Sequence, residues 1–271
     1  INTALAHMPE LLSHANLSSR KPAPISALAL GLECGGSDAF SGLTANPALG
    51  GASDRLISCG GRSIISEVPE FFGAEHLFAQ RAATPEIAQA IYQLLDDYSA
   101  YAAKLGHTLS ENPSRGNKDG GLLNITIKSL GAIAKSGSAP VQGVMHYGEW
   151  VWDRQTPGVY MLNSPGYDPP SVSGLVGAGC QLVCFTTGRG SVFGNAIAPV
   201  IKISSNDALT TRMPHAIDIN AGSVLSEDID ISQISTTLFE KIIAVASGEP
   251  TQAEKTGHRE FMLWNNEGIW F

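Results

Sequence analysis

The stretch 25–50, ISALALGLECGGSDAFSGLTANPALG, constrains this chain more than any other. Its apolar run stops at Glu33-Cys34, a Gly-Gly turn follows with Ser37 and Asp38, and a segment able to start a helix comes next. Open α/β sheets place their ligands outside strand ends of this kind, where glycine and polar side chains replace the buried run. The same grammar returns at 181–194, QLVCFTTGRGSVFG, now with Arg189 in the turn. Two such loops predict a polar active site built on a rigid sheet.

The rest of the pattern supports that sheet. Strands are expected at 25–33, 62–67, 141–146, 159–163, 181–186 and 200–204. Helices are expected at 3–12, 46–58, 84–105, 122–135 and 231–247. Pro47 and Pro85 stand at helix starts, where a missing N–H costs little. Ile87, Ala90, Ile91, Leu94 and Leu95 keep the helical period. Strands alternating with helices of ten or more residues predict a three-layer, mostly parallel, Rossmann-like α/β fold with ligand loops at the strands' carboxyl ends. Residues 1–24 read as a connector and tail of an upstream part, and 25–271 as one α/β domain.

Charge narrows the partners. The net charge of −8 comes with no basic stripe, which argues against nucleic acid. The longest apolar runs are strand-length, far short of the roughly 20 residues of a membrane span. Four cysteines without framework spacing fit a reducing cytoplasm. Only 15% of residues are charged, so the Lys and Arg within glycine-rich loops stand out.

Several polar clusters are candidates for chemistry, each with a plain structural alternative. Cys34, Ser37 and Asp38 can present a thiol and a carboxylate at the sheet's mouth, or Asp38 can simply cap the next helix. Glu67, Glu70, Glu75 and His76 can hold a divalent metal or supply an acid/base pair. They can equally be a solvated first helical turn. The loop 111–121, ENPSRGNKDGG, brings Asn117 and Lys118 before a helix, with Lys128 further on. It can bind an anion or be a flexible surface loop. Thr186, Thr187, Arg189 and Ser191 form the strongest anion site by chemistry, because arginine offers a planar fork to a carboxylate. An ion pair with an internal acid is the alternative there. Asp218 and Asn220 can return another polar pair to the same face, or form an Asx-type turn. Cys180 and Cys184 read as core thiols. No GxGxxG pattern is present, which disfavours a nucleotide-binding oxidoreductase.

LECGGSDAFSGLTANPALG, ISEVPEFFGAEHL, NPSRGNKDGGL, KSLGAIAKSG, PGYDP, CFTTGRGSVFG, PVIK and DINAG occur in that order. Together, over about 25–250, they resemble the C-terminal domain of the altronate/galactarate dehydratase family. The resemblance implies a sugar-acid dehydratase, with sulfolactate sulfo-lyases as relatives, and dependence on a divalent metal such as Fe2+ or Mn2+. It implies upstream domains as partners besides the small-molecule sugar acid, and it admits a homodimer. PGYDP is closer to altronate-type members and GAIAKSGSAPVQGV to galactarate-type ones. Ile127 precedes Lys128 where members commonly carry an acid.

Dehydration of a β-hydroxy acid begins with loss of the α-proton and builds two negative charges on one carboxylate. In this reading Arg189, Thr186, Thr187 and the Asn117-Lys118 loop hold the substrate, with Cys34, Ser37, Asn46, Ser191, Asp218 and Asn220 around it. Lys118 or Lys128 is the base if burial lowers its pKa. Asp38, Glu67, Glu70, Glu75 or His76 supply acid chemistry or, for the glutamates, metal ligation. The competing reading is a non-catalytic sugar-acid binding or assembly module.

Overall fold

The computed structural model describes residues 1–265, so the last six residues of the expected domain at 25–271 lie outside the described ones. Among the described residues seven strands form one sheet: β1 (Ala29–Cys34), β2 (Arg62–Ile65), β3 (Val141–Met145), β4 (Gly158–Leu162), β5 (Leu182–Thr187), β6 (Val200–Ser204) and β7 (Ile219–Asn220). Their order is β3-β4-β2-β1-β5-β6-β7, and every pairing is parallel. Residues of β1, β2, β4, β5 and β6 are buried throughout, as expected of strands covered on both faces.

The helices are α1 (Asn2–Ala15), α2 (Ala45–Ser58), α3 (Glu75–Ala79), α4 (Pro85–Lys104), α5 (Arg115–Asp119), α6 (Ile125–Ile133), α7 (Asp168–Gly177), α8 (Asp207–Arg212), α9 (Ser223–Ser226), α10 (Ile231–Ala246) and α11 (Gln252–Lys255). Leu49 and Leu56 of α2, Ile91 and Leu95 of α4, and Leu238 and Ile242 of α10 pack with Leu30 and Leu32 on one face of the sheet. Val172 and Leu175 of α7 pack with Val183 and Phe185 on the other. That makes three layers. Helix α1 buries no residue.

Strand order reverses direction at β1 and β5, and their carboxyl ends therefore open a crevice. There the amides of Gly188 and Arg189 donate to Gly36 O at 3.1 and 2.8 Å. The structure departs from the expected elements mainly where capping decides a boundary. Helix α6 starts at Ile125, not 122, because Asn124 accepts a hydrogen bond from Ile127 N at 3.0 Å. The loop 111–121 contains α5, whose start is closed by a reciprocal Ser114–Asn117 box. Helix α7 begins within the PGYDPP stretch, with prolines in its first turn where no N–H is missed. Strand β1 begins at Ala29, after a 3-10 turn at Ile25–Ala27.

Candidate functional site

Strand β2 ends at Ile65, and two residues later Glu67 takes φ 68° in the left-handed region. A glutamate in that conformation is uncommon and costs on the order of 1 kcal/mol or more, which surrounding contacts have to hold. Glu67 N donates to Ser164 Oγ at 2.8 Å, and the 3-10 turn Val68–Phe71 then swings Glu70 back over the sheet. Both carboxylates meet Cys34, the last residue of β1. The Cys34 thiol donates to Glu70 Oε2 at 2.9 Å.

Two lysines close this cluster. Lys135, fully buried in the turn after α6, places Nζ 2.8 Å from Cys34 Sγ, 3.1 Å from Glu67 Oε2 and 3.6 Å from Glu70 Oε2. Lys128, on α6, reaches Glu70 Oε1 at 2.6 Å and donates to Asn112 Oδ1 at 2.8 Å. A second acidic group lies alongside: Glu33, Glu67 and Asp168. Glu33 Oε2 accepts from Ser66 Oγ at 2.8 Å and Ser171 Oγ at 2.7 Å. Glu33 Oε1 and Glu67 Oε1 are buried and take no donor from any other described residue, while the Glu33 and Glu67 carboxyls hydrogen-bond each other, which works upward on Glu33 and downward on Glu67. Unpaired buried carboxylate oxygens are costly, and such groups in native structures call for an explanation such as a bound ion.

Burial pushes the Glu33 carboxyl well above its ordinary range, and the Glu67 charge adds to it. Burial raises the Cys34 thiol too, with Glu70 acting in the same direction and Lys135 against it. Asp168 is pushed up to about 7, first by burial and then by Glu67 and Glu70. For Glu70 burial works upward, but Lys128 and Lys135 outweigh it and hold the group low. Lys128 is the mirror case: burial works downward and the Glu70 carboxylate overrides it, so the ammonium is held above its usual range. The condition for a Lys128 base, a pKa lowered by burial, is therefore not met.

Two clefts adjoin the cluster and share Cys34 and Lys128. One, of about 280 Å³, is lined by Gly35, Gly36, Glu70, Asn112, Ser114, Asn117, Gly166 and Asp168 among others. The other, of about 240 Å³, runs past Ser37, Asp38, Asn46, Ile127, Leu130 and Gly131. Close approach needs glycine at the first: a Cβ on Gly35 would fall 2.1 Å from Asp168 Oδ2.

Cys34, Glu67, Glu70 and Lys128 are brought together, with Ser37, Asp38, Asn46 and Asn117 on the cleft walls. The Ser37 hydroxyl is buried and unpartnered. Asp38 is engaged on every side: Oδ1 accepts from Phe40 N, Ser41 N, Ser41 Oγ and Ser205 Oγ, and Oδ2 from Asn206 Nδ2. Asn46 accepts from Thr186 Oγ1 at 2.6 Å and donates to Gly131 O. Asn117 Nδ2 donates to Ser37 O at 2.9 Å, so the 111–121 segment docks on the β1 loop. Thr187 Oγ1 accepts from Gly190 N and Ser191 Oγ from Phe193 N. Arg189 is exposed, close to Gly36 and Gly116, and lines neither cleft.

Other expected residues lie elsewhere. Lys118 and His76 are exposed, and Glu75 is half-buried on α3, outside both acidic groups. Asp218 accepts from the amides of Lys202 and Gln252, and Asn220 donates to Asp207, at the β6–β7 edge. Sequence reasoning passed over Glu33, Asp168 and Lys135. A charged residue inside an apolar run, as in LGLEC and GAIAKSG, is the signal that marks two of them.

A metal centre fits one acidic group and not the other. At Cys34, Glu67 and Glu70 the Lys135 ammonium already stands against the ligand atoms. Glu33 and Glu67 carry the leftover oxygens beside Asp168, and an all-carboxylate set suits a hard divalent cation.

A parallel α/β domain with a charged ligand cleft at its strands' carboxyl ends is the class that fold and site define. Residues 25–269 match the family described as D-galactarate/altronate dehydratase, C-terminal, and the chain belongs to that family. It is 41% identical to an altronate dehydratase of Bacillus subtilis (strain 168), over 98% of this chain and 53% of that protein. It is 37% identical to the altronate dehydratase of Escherichia coli (strain K12), with the same shares covered. Against the galactarate dehydratase (L-threo-forming) of Escherichia coli (strain K12) identity is 38%, over 94% of this chain and 48% of that protein. The chain thus spans about half the length of the curated relatives it matches. Among the described residues no helix is long and apolar enough to cross a membrane.

Proposed function

We propose that this chain carries the site of a sugar-acid dehydratase, which removes water from an aldonate or aldarate of the altronate or galactarate type to give a 2-keto-3-deoxy acid. The observation that supports this most directly is the buried carboxylate pair Glu33 and Glu67, whose Oε1 atoms take no donor from any other described residue, beside Asp168 on the wall of the first cleft of a family member. Residues 1–24 act as a connector to upstream partner domains and 25–271 as the dehydratase-family domain. The protein works in the cytoplasm, assembles as a homodimer and takes Fe2+ or Mn2+.

Glu33, Glu67 and Asp168 would hold that ion. When bound, it supplies Lewis-acid stabilisation for charge building on the substrate carboxylate. Lys128, kept charged by Glu70 and fixed by Asn112, delivers a proton to the departing hydroxyl, while the α-proton passes to solvent in the cleft, from which Lys128 is reprotonated. The Ser37 hydroxyl donates to a substrate oxygen in the second cleft, and Arg189, exposed beside Gly36 and Gly116, takes a carboxylate.

The test is a panel of aldonates, aldarates and sulfolactate, given with Fe2+ or Mn2+ to this chain and to the complete protein that carries it. A 2-keto acid from one sugar acid is expected, and Lys128→Met or Arg189→Lys should each lower turnover about 100-fold or more. Sugar-acid binding without product in the complete, metal-loaded protein would move the reading to a binding module.

A further inference from the structure

The two acidic groups share Glu67, and its two oxygens face different neighbours. Oε2 is engaged by the Cys34 amide at 3.3 Å and by Lys135 Nζ at 3.1 Å, while Oε1 takes no donor from the other described residues and the carboxyl pairs with that of Glu33. Lys135 Nζ lies against all three members of the group formed by Cys34, Glu67 and Glu70. Those ligand atoms lie within 4.8 Å of one another, as do the atoms of the Glu33, Glu67 and Asp168 group. The molecule therefore holds two adjacent cation-sized nests joined by one carboxylate. One is filled by an ammonium.

We infer that Lys135 acts as a built-in cation that occupies the second of two metal-competent nests, so that the centre takes one divalent ion instead of a carboxylate-bridged pair. Charge and volume both require this exclusion. A metal ion at Cys34, Glu67 and Glu70 needs the space in which Nζ now stands, and two cations that close repel strongly in a medium without water. Lys135 is fully buried, and its position is fixed by Arg81, whose guanidinium donates to Ser136 Oγ and Ser136 O at 2.9 and 3.0 Å in the next residue. The ammonium cannot swing out to solvent. Without it, a thiol and two carboxylates would remain beside the Lys128 ammonium, a mixed sulfur–oxygen set suited to a borderline divalent ion such as Co2+ or Zn2+.

This inference rests on the metal reading above, and the experiment separates the two. Metal-free wild type, Lys135→Met, Lys135→Gln and Lys135→Arg are titrated with Co2+ alone. Bound cobalt is counted after gel filtration, and thiolate-to-cobalt charge transfer is followed by absorption. The neutral variants should bind about one equivalent more than wild type and show the charge-transfer band, and that band should vanish when Cys34→Ser is added. Lys135→Arg should behave as wild type. Lys135→Gln keeps an uncharged hydrogen-bond donor one bond shorter, so a gain there decides the matter if Lys135→Met fails to fold. Wild type binding no cobalt while the neutral variants bind one would sink the resident-metal reading and leave the role of Lys135 standing. No gain in either neutral variant overturns the inference, whatever wild type binds.

Discussion

At the scale of single residues, the chain separates polar groups that are spent on structure from those left free. Asp38 is spent: its carboxylate ties the β1 loop to Ser205 and Asn206 beyond β6. Asp38→Ala would leave those buried donors unpaired, and a loss on the order of 3 kcal/mol in urea unfolding is the expected outcome. Lys202 is the opposite case. It is fully buried in β6, its Nζ has no hydrogen-bond partner among the described residues, and burial lowers its pKa to about 8 despite the charges of Asp218 and Glu260. Its charged form is therefore disfavoured in the folded state. Below pH 8 both states are protonated and the fold bears the whole penalty, on the order of 3 kcal/mol for a displacement of this size. As pH rises from about 8 towards the unfolded value near 10.5, the penalty fades and stability from this group increases. Lys202→Met should be more stable than wild type at pH 7, and the difference should shrink by pH 10.5 in parallel urea titrations. A flat difference across that range would contradict the assignment.

At the scale of elements, α6 is the lever of the site. It presents Lys128 at the junction of the two clefts and hands the chain to Lys135 through the turn Ala134–Ser136. Its start depends on the Asn124 side chain, which accepts from Ile127 N. Asn124→Ala should cost about 1 kcal/mol of stability, and the frayed first turn should loosen Lys128. The expected kinetic signature is a fall in kcat larger than any change in KM, because a loosened proton donor is felt chiefly in the transition state. An unchanged kcat would place Lys128 outside the chemistry. Gly131, on the same helix, approaches Gly42 so closely that a Cβ on it would lie 3.0 Å from the Gly42 Cα, which fixes how deeply α6 seats against the β1 loop.

At the scale of the whole molecule, the site gathers charge from points far apart in the chain: Glu33 after β1 begins, Glu67 past β2, Lys135 past α6 and Asp168 past β4. Collecting four acids and two lysines in one buried place makes the fold dependent on whatever cation balances them. Added Mn2+ or Fe2+ at about 100 times its dissociation constant should raise the melting temperature by several degrees through roughly 3 kcal/mol of linkage, and a chelator should reverse it. Wild type with no thermal response to either ion would count against a metal centre at Glu33, Glu67 and Asp168. Legibility follows the same division. The β1 loop, Cys34, Glu67 and Glu70 are readable because they sit in short motifs at strand ends, and Lys128 because it follows the polar loop 111–121. Glu33 and Lys135 are hidden inside apolar stretches, and Asp168 looks like an ordinary residue before two prolines.

What the amino-acid order determined alone was the alternation of strands and helices, the parallel sheet and the polar turns at its carboxyl edge. Hydrophobic period, glycine and proline act over a few residues, so no distant partner is needed to read them. Only the tertiary structure decided which polar groups meet, which oxygens are left over and which way each proton equilibrium leans. Those properties depend on burial and on charges a few ångströms away that arrive from remote segments, and no local pattern carries that distance.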